Sequence, residues 1–122
     1  MVAPLGRLRK RSEFLAVAAA NRRWTAPGLV LQARARPADE PSEPAESPLR
    51  VGFTATRKVG GAVVRNRARR RLKAAVHEVL SGVPAQAADI VLVARPGTIT
   101  RPYADLKADL KAALAKLGIV PA

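Results

Sequence analysis

Eight basic side chains and no acid lie in the seventeen residues from Arg57 to Lys73, RKVGGAVVRNRARRRLK. The planar fork of arginine matches phosphate oxygens in pairs, so the chemistry this stretch offers is the binding of a polyanion. The means for proton transfer are scarcer. His77 is the only histidine; it follows Val76 and precedes Glu78 in a helical run, and it reads as a surface residue rather than an acid–base catalyst. Asp105 and Asp109 stand four residues apart, a spacing that allows a shared metal ion. They read more simply as a solvated face beside Lys107 and Lys111. The chain has no cysteine, hence no disulfide framework and no thiolate metal site. It also lacks the G-x-x-x-x-G-K-[ST] loop that cradles nucleotide phosphates. The expectation is no catalytic residue and no metal site in the protein itself.

The basic stretch needs an element to display it. Gly60-Gly61 frees the backbone for a sharp turn, and a helix is predicted from Ala62 to Leu80. At about 100° per residue, Val64, Ala68, Leu72, Ala75, Val76 and Val79 form one apolar stripe. Asn66, Arg67, Arg69, Arg70 and Lys73 fall on the polar side, with Arg65 and Arg71 at the margins. Like charges four apart, as in Arg65 with Arg69 or Arg69 with Lys73, destabilise an isolated helix by about 0.2–0.5 kcal/mol per pair. With no acid among them, a helix so charged needs an external anion.

The order of residues says more than the charge. K-V-G-x-A-V-x-R-N-R-x-[KR]-R, read from Lys58 to Arg70, resembles the signature of the bacterial ribonuclease P protein component. The matching residues are Lys58, Val59, Gly60, Ala62, Val63, Arg65, Asn66, Arg67, Arg69 and Arg70. The resemblance extends over most of the chain, with one insertion. It implies an accessory subunit of a ribonucleoprotein endoribonuclease. The catalytic RNA is then the partner and holds most of the Mg2+, precursor tRNA is the substrate, and the 5′ leader is removed. On this reading Arg57, Lys58, Arg65, Asn66, Arg67, Arg69, Arg70 and Lys73 bind RNA. Phe14, Lys58 and Phe53 belong to a cleft for the leader. In the family a Phe on the first helix lines that cleft and Phe14 matches it, so two readings of Phe14 stand, cleft wall and core. The second aromatic that often follows one turn later is Ala18 here.

From the start of the chain, residues 1–11 read as a mobile basic arm carrying Arg7, Arg9, Lys10 and Arg11. Ser12 is a plausible N-cap for a short helix over 13–20 that Asn21 ends. Trp24 reads as a packing residue ahead of a strand, Leu29 to Arg36. Residues 37–48, PADEPSEPAESP, hold four Pro, four acids and no base, the composition of a flexible inserted loop. Without its acids the net charge rises from +13 to +17. An occluding role for it on the basic surface is a second reading. Residues 49–58 form the next strand and feed the basic helix. Residues 88–94 are almost uniformly apolar, as in a strand covered on both faces. Thr98 or Thr100 then caps a last helix with Pro102 in its first turn; Tyr103, Leu106, Leu110, Leu114 and Leu117 recur along it before Gly118.

These elements make a small single-domain α+β sandwich, α-β-β-α-β-α, with helices on a three- or four-stranded sheet. The resemblance implies the ribonuclease P protein-like fold, shared with a ribosomal protein domain, and its left-handed β-α-β crossover. A chain of 122 residues fits one domain with one modest core. No stretch is long and apolar enough for a signal peptide or a membrane span, so the expectation is a cytoplasmic protein with no membrane and no obligatory protein partner. A ribosomal or chaperone-like RNA binder shares the charge but not the residue order. A helix-turn-helix DNA reader fails because two strands separate the first helix from the basic one.

Overall fold

The computed structural model describes residues 5–36, 49–81 and 87–119. The expected loop at 37–48, residues 1–4 of the arm and the Gly82-Val83-Pro84 break lie outside the described residues. The order is β1 (Gly6–Arg7), α1 (Arg11–Ala19), β2 (Arg22–Thr25), β3 (Leu29–Ala35), β4 (Leu49–Thr54), α2 (Ala62–Leu80), β5 (Ala88–Ala94), α3 (Gly97–Thr100) and α4 (Tyr103–Lys116). One five-stranded sheet runs β1-β4-β5-β3-β2. β4 and β5 are adjacent and parallel, joined through α2, while β3 is antiparallel to both β5 and β2.

The sheet carries a core on each face. Ala88, Ile90, Leu92 and Ala94 of β5 enter the larger core with Leu29, Leu31 and Val51, under α2 and α4. Val91, one residue out of phase, joins Leu8 and Val17 in the smaller core under α1, with Phe14 and Val93 packed against it. Alternate residues of a strand point to opposite faces, which is why a near-continuous apolar run marks this central strand. α2 buries Ala68, Leu72, Ala75, Val76 and Leu80. α4 buries Leu106, Leu110 and Leu114 completely, and Gly118 ends it at φ 71°.

Several boundaries differ from the sequence expectation. The sheet has five strands rather than three or four. Of the expected arm, Gly6 and Arg7 pair with Arg50 and Val51 of β4, and Leu8 is buried. α1 starts at Arg11 and its N-cap is Lys10, not Ser12. The cap is made from within the helix: a Glu13 oxygen accepts the backbone N–H of Arg9 at 2.9 Å and of Lys10 at 2.7 Å. Those N–H groups have no partner inside the helix, and a carboxylate at the positive end of the helix dipole satisfies them. Asn21 follows at φ 55° and ends the helix as expected. β4 stops at Thr54, since Thr56, Arg57, Val59 and Gly60 form a turn closed by Val59 N–H to Thr56 O and Gly60 N–H to Arg57 O. Gly60 has φ 149°, where a side chain would also strike Val64 at 2.9 Å. β2 was not expected as a strand; Trp24 lies in it, partly exposed under Lys116, and not in the core.

Candidate nucleic-acid interface

α2 separates its two faces as the periodicity requires. Leu72 is fully buried, while Asn66, Arg67 and Arg70 are exposed and Arg65, Arg69 and Lys73 are half-buried. Arg57 and Lys58 are exposed in the turn that leads into the helix. Arg65 reaches back to the Gly60 carbonyl at 3.4 Å, and Arg69 donates to the Asn66 side-chain oxygen. These contacts orient the cations without neutralising them.

Arg71 behaves differently. It donates to the carbonyls of Ile99 and Arg101 and lies 5.9 Å from the centre of the Tyr103 ring. It therefore ties α2 to the α3–α4 junction. One arginine of the cluster is structural and the others are left to the outward side, a division set by the carbonyls and ring that the α3–α4 junction presents to Arg71 alone among them.

Beside the outward face lies a cleft of about 450 Å³. Its rings are Phe14 from α1 and Phe53 from β4. Its cations are Arg69 and Lys73 from α2 and Arg7 and Arg9 from the β1 segment, with Leu8 between them. Lys73 sits 5.9 Å from the centre of the Phe53 ring. Of the three residues expected in the leader cleft, the structure brings Phe14 and Phe53 together; Lys58 is not among those that line it. The two readings of Phe14 meet in one position, since its ring lines the cleft and also packs against the smaller core. Gly52 makes that possible: a Cβ there would lie 2.6 Å from the Phe14 ring.

The sequence reading missed the groups that hold the cleft wall. Asp89 is buried in the centre of the sheet, directly opposite Arg34 of β3 and Arg50 of β4. Arg50 grips it with two bonds of 2.7 Å, and Arg36 and Arg34 approach at 3.2 and 3.4 Å. Arg50 also reaches Glu13 at 3.0 Å. The N–H bond from Lys10 is the chief reason that the Glu13 carboxyl sits below its usual value, with Arg50 adding to it. Asp89 was hidden by its apolar neighbours. The signal that marked it is a lone acid in a strand otherwise buried on both faces, which requires a cationic partner.

Asp109 is likewise not on a solvated face. It is buried, accepts the Gly28 N–H at 3.0 Å, and pairs with Arg101 at 2.6 Å. His77 is exposed on α2. Among the described residues no three acidic or histidine side chains are grouped to hold a metal ion, and no helix is long and apolar enough to cross a membrane.

A basic helix face continuous with an aromatic cleft, on a three-layer α/β domain, defines a small nucleic-acid-binding protein. The ribonuclease P family profile matches residues 3–118, and the chain belongs to that family. It is 51% identical over 118 residues to the ribonuclease P protein component of Paramagnetospirillum magneticum, covering 97% of this chain and 86% of that one. It is 50% identical over 113 residues to the counterpart from Gluconacetobacter diazotrophicus, covering 93% and 91%. The fold resembles the solved RNase P protein of Staphylococcus aureus with a TM-score of 0.72 at 18% identity, covering 93% of this chain and 96% of that one. It resembles that of Thermotoga maritima with a TM-score of 0.66 at 22% identity, covering 87% and 92%.

Proposed function

We propose that the chain is the accessory protein subunit of ribonuclease P, binding the catalytic RNA and the 5′ leader of precursor tRNA while the RNA cuts the leader away. The observation that carries this reading is the outward cationic face of α2 joined to the ring-lined cleft. Arg57, Lys58, Arg65, Asn66, Arg67, Arg69, Arg70 and Lys73 are assigned to RNA, and Phe14 and Phe53 to the unpaired leader. Lys58 serves on the exposed turn that leads into α2 and does not line the cleft.

In this role the protein holds and orients. Arginine forks on backbone phosphates displace counterions and supply affinity without base readout. Aromatic faces stack unpaired bases at about 1–3 kcal/mol each. Holding the leader against the catalytic RNA lowers the entropy cost of reaching the cutting geometry. The reaction's Mg2+ is assigned to the RNA; of the acids in the described residues, Asp109 is engaged by Arg101 and the Gly28 N–H, and Asp89 by arginines. No other protein is needed for this reading, and its substrate sets a cytoplasmic place of action. Reconstitution with the cognate catalytic RNA and a leader-bearing precursor tRNA tests it. The protein should raise the rate of leader release at low magnesium; absence of any stimulation overturns the assignment.

A further inference from the structure

We infer that Arg7 and Arg9 form a second lip of the cleft, gripping phosphates of an unpaired RNA strand across from Arg69 and Lys73 while its bases stack on Phe14 and Phe53. This rests on the RNA-subunit reading above and assigns residues that neither the basic motif nor the resemblance singled out. The cavity of about 450 Å³ has four cations at its walls and no acid among the residues lining it. Like charges facing one another across a small cavity raise its potential, and a bound phosphate relieves it. Two ring faces select an unpaired strand, because bases in a duplex are already stacked on each other.

The lip is built to hold its shape. The N–H of Leu8 donates to the Val51 carbonyl at 3.0 Å, and Leu8 itself is 3% exposed. One residue on, the Arg9 N–H donates to Glu13, whose second oxygen meets Arg50, which grips the buried Asp89. The backbone of the lip is thus tied to the middle of the sheet. The Arg7 and Arg9 side chains are exposed, and among the described residues neither has an acidic partner. A purely structural pair of arginines would spend the guanidinium groups on such bonds. It follows that Arg69 and Lys73 face the substrate strand, whereas Arg67 and Arg70 on the exposed side of α2 face the catalytic RNA.

The test uses holoenzyme reconstituted with the catalytic RNA and compares a leader-bearing precursor tRNA with leaderless tRNA. The double variant Arg7→Ala, Arg9→Ala should bind the leader-bearing precursor more weakly and the leaderless tRNA equally well. Its slope of log affinity against log salt for the precursor should flatten by about 1.4, two phosphate contacts at about 0.7 each on a single strand. Binding of the protein to the catalytic RNA should not change. Equal losses for both tRNAs, or weakened binding to the catalytic RNA, would overturn the inference. Should the double variant unfold in a urea melt, photo-crosslinking of wild-type holoenzyme to a leader carrying 4-thiouridine decides instead. Crosslinks to residues 7–9 support the lip, and crosslinks confined elsewhere overturn it. Wild-type protein that gives no stimulation of leader release over the active catalytic RNA alone overturns the subunit reading itself, an outcome separate from the other two.

Discussion

Asp89 sets the energetics at the scale of single residues. A carboxylate buried at 1% exposure is tolerable only because cross-strand arginines stand on both sides of it. Removing one partner of a buried pair costs more than the pair contributes, since the other charge is left without compensation. Asp89→Asn should therefore lower the unfolding free energy by about 3–5 kcal/mol, read from urea melts at neutral pH, whereas Asp105→Asn on the exposed surface should change it by less than about 0.5 kcal/mol. Glu13 couples the same cluster to pH. Its folded value lies below the ordinary 4.5, chiefly through the Lys10 N–H. The ionised form is thus favoured in the folded state, so its contribution is full above the unfolded value and is lost as pH falls through the folded value. Stability should decline on acidification below about 4.5, and Glu13→Gln should flatten that decline. An identical acid limb in the variant would show that other carboxylates dominate it.

Among the elements, α2 was the easiest to read, because nineteen residues of helical periodicity specify length, phase and buried face together. β5 was legible for the opposite reason, an apolar run too short for most helices and without polar interruption except Asp89. β1 and β2 gave no such signal. A two-residue strand has no period, and the four residues of β2 are all exposed on a sheet edge, so no burial pattern marks them. The N-cap was misplaced because the capping oxygen comes from Glu13 inside the helix and not from Ser12 before it. Four of the seven residues that line the cleft were legible: Phe14, Phe53, Arg69 and Lys73 belong to elements that periodicity had placed. Arg7 and Arg9 were not, since only the pairing of β1 with β4 brings them there. Two predictions belong at this scale. Leu72→Ala should destabilise the fold by about 2–5 kcal/mol and leave the salt slope of RNA binding unchanged for folded molecules, while Arg70→Ala should keep the fold and flatten that slope by about 0.7–0.9. Gly52→Ala pushes the Phe14 ring, which a Cβ would meet at 2.6 Å. It should cost about 1–3 kcal/mol and weaken binding of leader-bearing precursor more than of leaderless tRNA.

For the molecule as a whole, charge and layering act together. α1 covers one face of the sheet and α2 with α4 the other, and the cleft lies where residues of β1, β4, α1 and α2 meet. The net charge of +13 includes four acids confined to residues 37–48, without which it is +17. An RNA surface in which charge carries affinity should feel those acids at long range at low salt and lose that influence at high salt, as the screening length falls from about 30 Å at 0.01 M to about 8 Å at 0.15 M. Replacing residues 37–48 by a short Gly-Ser bridge between Arg36 and Leu49, which end and begin adjacent segments of the described fold, should preserve cooperative unfolding. Affinity for the catalytic RNA should be tighter or unchanged at low salt, and any gain should vanish as salt rises. A deletion that abolishes cooperative unfolding would show that the segment contributes to the fold. A loss of affinity at low salt with the fold intact would show that the segment itself contacts RNA, in which case the electrostatics of the body alone do not account for binding.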